Sequence, residues 1–332
     1  MSGKGHHHDG SPGHDHGVTA DTDKRWLSIA LALIVGFMSV EVFIGVVAQS
    51  LALISDAAHM LTDAVAIGLA LIAMRIARRP AKGGFTYGLK RAEILSAQAN
   101  GLSLILLGAW LSYEAVGRLI HPPEVKGGLM LITALVGIAV NVAATWCISR
   151  ANRASLNVEG AYQHILNDLF AFIGTAVAAL IVVTTGFARA DGIATLIVVA
   201  LMFKAGYGLL RDSGRIFLEA APAHVHPDRV GGELVAQPSV LEVHDLHIWQ
   251  ITSEEAALSA HVLVEPGGDC HAVRRDLEHL VRRDYGITHT TLQVDHQPEM
   301  VLQVVGQGRV PDRTHHCVAT RDPLHRGDGR NR

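Results

Sequence analysis

Residues 55–63 read SDAAHMLTD, lie inside a long apolar segment, and carry His59 and Asp63 four residues apart. Farther along the chain, the stretch AYQHILNDLF repeats this spacing with His164 and Asp168, again inside an apolar segment. Because residues i and i+4 of an α-helix lie on one face, each helix presents an imidazole and a carboxylate in the same direction. Two such helices side by side supply two nitrogen and two oxygen ligands. This tetrahedral set suits Zn²⁺, and its two carboxylates balance the charge of the ion.

A histidine and an aspartate on one helix are most often capping, exposed or locally paired groups. Here both pairs lie within segments apolar enough to span a membrane. An ionisable side chain costs about 2.5–3.5 kcal/mol to insert there and usually marks a functional site. Since the spacing also occurs twice, the sequence predicts one shared metal site formed by His59, Asp63, His164 and Asp168.

The composition indicates a membrane domain joined to a smaller soluble part, because 49% of the 332 residues are hydrophobic. The net charge of −3 gives no basic excess, which argues against nucleic acid as a partner. The three cysteines, Cys147, Cys270 and Cys317, are isolated in the sequence and form no CxxC pair. We therefore expect neither a disulfide framework nor a cysteine zinc knuckle.

Six apolar segments are each near or above the roughly 20 residues that cross a bilayer as a helix. They are predicted at 26–48, 51–75, 93–119, 128–149, 158–185 and 191–211. The third carries polar residues at Gln98, Asn100 and Glu114, so it is expected to face the bundle interior or a partner.

The distribution of Lys and Arg predicts the orientation of the chain. These residues concentrate before the first segment, after the second and fourth, and after the sixth. The positive-inside rule then places both termini in the cytoplasm, and an even number of spans agrees with termini on one side. We therefore expect a multi-pass protein of a bacterial inner (plasma) membrane. Spans two and five run in opposite directions, which would bring both HxxxD pairs to one depth near the midplane, where transporters commonly bind substrate.

The chain divides into four predicted regions. Residues 1–24 are rich in Gly, His and Asp and are expected to form a disordered, metal-collecting tail, with a purification tag as the alternative. Residues 25–211 form the transport domain. Residues 212–300 show helix and strand patterns in the order αββαβ, which predicts a small α+β domain with helices on one face of a sheet. Residues 301–332, rich in Arg, Asp, Gly and Pro, are predicted to be a disordered tail.

The predicted α+β domain contains several clustered histidines, which favour a cytosolic metal-sensing site. His244 and His247 have opposite parity along one strand and would therefore face opposite sides of the sheet. The histidines can all serve one site only if a bulge or a second subunit intervenes.

The two HxxxD motifs, the six spans, the stretch FTYGLKRAEILSAQANG and the later HDLHIWQIT together resemble the cation diffusion facilitator family, in particular its zinc-transporting branch. The resemblance covers residues 26–297. It implies a homodimeric exporter that exchanges cytosolic divalent metal for protons, with a ferredoxin-like C-terminal domain that binds metal and helps to hold the dimer. The same resemblance implies the ligands of the cytosolic domain, which are His244, His261, His271 and Asp295.

Three functions compete on these observations. The first is efflux of Zn²⁺, and of Cd²⁺ or Co²⁺, in exchange for protons, with zinc as substrate and regulatory ligand and with lipid and a second copy as partners. The second is a membrane metalloprotease, but the chain has no HExxH motif and the four ligands would close the site, so we expect neither an enzyme nor a resident cofactor. The third, a metal-gated membrane sensor or channel, stays open.

Overall fold

The computed structural model describes residues 16–47, 51–121, 127–297 and 319–320. Six long helices come first: α1 (His16–Val47), α2 (Leu51–Ala77), α3 (Ala92–Ile120), α4 (Gly127–Ser149), α5 (Leu156–Thr185) and α6 (Ala190–Phe217). Each helix contains or overlaps one predicted span. Helices α2 to α6 each contain a described window that is long and apolar enough to cross a membrane. The first predicted span overlaps α1, and the side chains of several α1 residues lie outside the described part of the structure.

The start of α1 corrects the predicted N-terminal tail, because the helix begins at His16 and not near residue 25. Extending an existing helix adds one hydrogen bond for each residue fixed, so a polar segment joined to an apolar helix can continue it. The segment is also anchored, since the buried Asp23 carboxylate accepts a hydrogen bond of 2.8 Å from the backbone N–H of Asn152. The remaining residues of the predicted tail, 1–15, lie outside the described part of the chain.

Two apolar cores hold the six helices together. Helices α1, α2, α4 and α5 share one core. Its largest fully buried side chains are Leu27, Ile34, Met60, Ile67, Ile148 and Ile165. Helices α3 and α6 share the other, in which Leu104 packs with Val198, Met202 and Leu209.

The contact between α3 and α6 depends on glycine. A Cβ atom added at Gly206 would lie 2.9 Å from the backbone oxygen of Gly101, closer than packed atoms approach. The absence of side chains at both positions therefore lets the two backbones come together, as small residues do at membrane helix contacts. At the other end of the pair, Arg118 of α3 donates a 2.7 Å hydrogen bond to Asp191 in the first turn of α6.

The second unit begins at Gly214, and its elements follow the predicted order αββαβ. They are α7 (Pro227–Val235), β1 (Val240–Gln250), β2 (Ala256–Val264), α8 (Cys270–Tyr285) and β3 (His289–His296). Strands β1 and β2 are antiparallel, whereas β2 and β3 are parallel. The helices pack on one face of this sheet through a core that includes Leu234, Leu277 and Val281.

A short strand, β4 (Ala319–Thr320), corrects part of the predicted C-terminal tail. It pairs antiparallel with Glu242 and Val243 of β1, so that the sheet order is β3-β2-β1-β4. The composition of residues 301–332 excludes a core of their own, but the free edge of β1 offers unpaired backbone groups to any extended segment. Residues 298–318 and 321–332 lie outside the described structure.

Candidate metal centre

Three of the four residues predicted to bind metal between the spans lie side by side. Asp63 of α2 and His164 and Asp168 of α5 each offer a ligand atom, and these atoms all lie within 4.8 Å of one another. His164 Nε2 is 3.1 Å from Asp63 Oδ1. We call these three residues the transmembrane trio. The fourth, His59, is one helical turn before Asp63 in α2, but its side chain lies outside the described residues.

The register between α2 and α5 fixes the position of the trio. Asn157 Nδ2 donates a 2.9 Å hydrogen bond to the backbone oxygen of Ala70. Asn157 comes seven residues before His164, and Ala70 comes seven residues after Asp63. The two cross-helix contacts are therefore two turns apart on the same pair of antiparallel faces. Asp63 and His164 themselves lie at least two turns inside their helices.

The environment of the trio is one that could hold a metal ion. His164 is 1% exposed and Asp63 4%, so this imidazole and this carboxylate are removed from water, whereas Asp168 is half-buried. His164 Nδ1 and Asp168 Oδ2 are buried and have no hydrogen-bond partner among the described residues. Two carboxylates so close together repel each other unless a cation or a proton lies between them. A divalent cation would satisfy the free ligand atoms and the excess negative charge together.

The donor set of the trio fits zinc. One imidazole nitrogen and two carboxylate oxygens are ligands that Zn²⁺ accepts, and a fourth ligand would complete a tetrahedron. Position 59 lies on the face of α2 that carries Asp63, because the two are four residues apart. His59 is therefore well placed in the sequence to be that ligand.

A second group of metal-ligating side chains lies on the sheet of the second unit. Ligand atoms of His244, Asp245 and His261 lie within 4.8 Å of one another. We call this group the sheet trio. His244 and His261 are directly paired across β1 and β2, with their rings edge-on and 5.4 Å apart. Their neighbours Val243, Ala260 and Val262 belong to the core, so the sheet trio is on the face opposite the helices.

A bulge in β1 explains how consecutive residues join this group. The pairing with β2 shifts between His244 and His247, and Asp245 has a positive φ of 50°. Aspartate tolerates this left-handed conformation better than most residues do. The extra residue also brings His247 to the outer face, where it lines a pocket with Asp245 and His261. His244 and His247 therefore lie on the same face of the sheet, because the bulge changes the alternation of side chains along β1.

The sheet trio differs from the four ligands that the family resemblance implies. His244 and His261 are common to both sets, and Asp245 is added by the structure. His271 is exposed in the first turn of α8, on the helix side of the sheet. Asp295 is paired with Leu263, two residues beyond His261, and accepts a 2.8 Å hydrogen bond from Gln293. Within one chain, neither His271 nor Asp295 belongs to the group formed by the described residues.

Comparison with known proteins identifies the chain over nearly its whole length. Residues 27–218 match the cation efflux transmembrane domain, and residues 223–297 match the cation efflux protein cytoplasmic domain. The chain is 35% identical over 312 residues to the cadmium, cobalt and zinc/H⁺-K⁺ antiporter of Bacillus velezensis, which covers 92% of this chain and 99% of that protein.

Two further relatives show the same similarity. Metal cation efflux system protein CzcD of Cupriavidus metallidurans is 37% identical over 297 residues, or 89% of this chain and 91% of that protein. Zinc transporter ZitB of Escherichia coli is 34% identical over 292 residues, or 86% of this chain and 93% of that protein.

Proposed function

The chain belongs to the zinc-transporting branch of the cation diffusion facilitator family, and we propose that it is a Zn²⁺/H⁺ antiporter that exports zinc from the cytoplasm. The ion binds the transmembrane trio of Asp63, His164 and Asp168, with His59 as the fourth ligand. Cadmium and cobalt are further proposed substrates, because the Bacillus velezensis relative is named as an antiporter of both metals.

The observation that carries this proposal is the burial of the transmembrane trio with unpartnered ligand atoms. Buried polar atoms in folded proteins are almost always satisfied, and a buried unpaired charge is costly. His164 Nδ1 and Asp168 Oδ2 have no partner among the described residues, although they lie in a packed bundle. Atoms left free in this way are available to a ligand that enters and leaves.

Proton exchange follows from the same ligands. Zn²⁺ binds neutral imidazole and ionised carboxylate, so that metal and protons compete for one set of atoms. The pKa of an unperturbed imidazole is ~6.5, within the pH range that cells control. Binding of zinc from the cytoplasm therefore releases protons, and protons from the other side displace the metal.

The rest of the molecule fits an exporter in the plasma membrane. The positive-inside distribution places both termini in the cytoplasm. The second unit then lies on the side from which zinc is taken up, where the sheet trio binds zinc as a regulatory ligand. A second copy of the chain pairs through this unit to form a homodimer. We assign no enzymatic activity and no resident cofactor, because the four proposed ligands leave no open position for a hydrolytic water.

Ion flux in vesicles tests the proposal against its alternative, a metal-gated channel or sensor. Purified full-length protein is reconstituted in liposomes with an acidic interior, and uptake of Zn²⁺, Cd²⁺, Co²⁺ and Mn²⁺ is followed together with internal pH. An antiporter accumulates zinc against its concentration gradient while the interior becomes more alkaline. Zinc flux that only follows its own gradient and ignores the pH difference would favour the channel.

A further inference from the structure

We propose that Ser96, Asn100 and Asn157 hold a chain of water molecules that conducts protons between the transmembrane trio and the cytoplasmic end of α3 and α5. We call these three residues the polar seam. The inference rests on the proposed function, because it concerns the route of the exchanged protons. It assigns a role to side chains that are not metal ligands.

The polar seam is buried and unsatisfied. Ser96, Asn100 and Asn157 are 2%, 3% and 0% exposed. Ser96 Oγ, Asn100 Nδ2 and Asn157 Oδ1 have no hydrogen-bond partner among the described residues. Leaving such an atom unpaired in an apolar interior costs roughly 1–3 kcal/mol. Asn100 is one turn after Ser96 in α3 and lies against Gly160, three residues after Asn157 in α5, so we infer that water supplies the missing hydrogen bonds.

The seam leads from the trio towards the first turns of α3 and α5. Asn157 lies seven residues before His164 in α5, or about 10 Å along the helix axis. Asn100 fills the interval, since a Cβ atom added at Gly160 would lie 3.4 Å from Asn100 Nδ2, and Gly160 is one turn before His164. Ser96 is one turn before Asn100 in α3 and lies on the same face.

The outer end of the seam is marked by polar groups at the start of both helices. Ser155, immediately before α5, donates a hydrogen bond of 3.5 Å to Glu93 in the first turn of α3. Glu93 is half-buried, so its carboxylate is within reach of bulk water. Glu93 therefore provides a proton acceptor where the seam opens, on the side that the positive-inside rule assigns to the cytoplasm.

The chemistry of the free atoms selects water and protons over a second metal ion. Asn157 Oδ1 accepts hydrogen bonds, whereas Asn100 Nδ2 only donates them, and the Ser96 hydroxyl does both. A bare divalent cation needs acceptors alone. Water serves both kinds of group, and each step along the chain breaks one O–H bond and forms one on the next oxygen. A proton released from the trio by zinc thus emerges at Glu93 without any net change in the waters.

Substitution of the seam by leucine tests this route in the full-length protein. Asn157→Leu and Asn100→Leu remove the polar atoms that bind the proposed waters, so we expect metal-coupled proton flux in liposomes to fall by at least about tenfold, the cost of one lost hydrogen bond. For Asn100→Leu, equilibrium zinc binding to detergent-solubilised protein should stay within about twofold of wild type, because no ligand is changed. Asn157→Leu also removes the hydrogen bond to Ala70 that sets the register of α2 and α5, so the zinc-binding comparison uses Asn100→Leu. Asn157→Ser keeps a hydroxyl and room for water and should restore most of the flux.

The matched control is Asn141→Leu in α4. Asn141 is also fully buried, and its Oδ1 also has no hydrogen-bond partner among the described residues, but it lies in α4, outside the polar seam. Exchange should also be measured in D₂O. Loss of the seam makes proton transfer rate-limiting, so Asn157→Leu and Asn100→Leu show a larger solvent isotope effect than wild type and Asn141→Leu does not, which a purely structural defect would not produce.

Three results would overturn the polar seam. They are wild-type proton flux in both seam variants, equal loss in the Asn141→Leu control, and reduced flux with an unchanged isotope effect. Failure of the proposed function would give a different result. Normal zinc transport by Asp168→Asn would exclude the transmembrane trio as the transport site, whatever the proton flux of the seam variants.

Discussion

At the residue scale, spacing in the sequence predicts four metal ligands, and the structure brings three of these residues together between α2 and α5. Asp63, His164 and Asp168 could be found because i and i+4 positions share a helix face and ionisable groups are rare within membrane spans. Asn157 and Asn100 could not be found in this way. An asparagine within a span usually bonds across helices, and only the packed structure shows which of its atoms lacks a partner.

Asp245 is the residue of the sheet trio that could not be predicted from spacing in the sequence. It precedes a register shift, and a bulge depends on the pairing of two strands and not on one strand alone. A local signal did exist, because aspartate is among the few residues that tolerate positive φ. That signal is weak without the pairing partner, so Asp245 was not predicted, whereas the family resemblance implied His244 and His261.

The composition of the sheet trio gives a prediction about zinc binding at the second unit. In protein whose transmembrane trio is disabled by Asp168→Asn, His261→Ala and Asp245→Ala should each weaken zinc binding by about tenfold or more, as loss of one ligand or its support commonly does. Isothermal titration calorimetry measures the effect. His279→Ala is the control, because His279 is exposed on α8 and belongs to neither trio.

The same titration separates the sheet trio from the ligand set implied by the family resemblance. If His271→Ala and Asp295→Ala weaken zinc binding while Asp245→Ala does not, the sheet trio is incorrect. The ligands would then come together only when a second subunit contributes some of them.

At the element scale, hydrophobic pattern predicts which segments become helices and strands but not how closely they approach. The six long helices and the order αββαβ follow from apolar length and periodicity. The near contact of Gly101 with Gly206 does not, because a glycine in a helix has the same sequence signature whether it faces a neighbour or lipid. The β4 strand was missed for a related reason, since it forms only because β1 offers an open edge.

The glycine contact gives a prediction about stability. A Gly→Ala change inside a helix is intrinsically favourable by about 1 kcal/mol, whereas overpacking costs about 1–3 kcal/mol. Gly206→Ala places its methyl group against the Gly101 backbone, so we expect a lower Tm in detergent, followed by tryptophan fluorescence. Gly208→Ala, on the same helix with open space around it, should leave Tm unchanged or raise it. Equal shifts in both variants would show that the close approach of α3 and α6 contributes nothing.

At the scale of the whole molecule, exposed apolar side chains indicate where lipid surrounds the helices. Large hydrophobic residues on the outer faces of the spans are well exposed, with Trp110 at 64%, Tyr113 at 79% and Ile197 at 62%. Soluble proteins rarely expose apolar surface on this scale, so these faces contact the bilayer. Composition and hydropathy were sufficient to predict this division between a membrane unit and a soluble unit. The polar residues that face one another inside the membrane unit could be identified only from the packing of α2, α3 and α5.

The most direct test of the central claim, that the transmembrane trio binds the transported ion, is zinc transport by Asp168→Asn. Asparagine keeps the size of the side chain but removes one of the two negative charges that a divalent ion needs in a buried site. We expect equilibrium zinc binding at the transmembrane trio to weaken by about a hundredfold or more and proton-coupled zinc flux into liposomes to be lost. Asp276→Asn, an exposed change on α8, is the control and should transport normally. Near-normal zinc flux by correctly inserted Asp168→Asn would contradict the account, because the ion would then cross the membrane without this carboxylate.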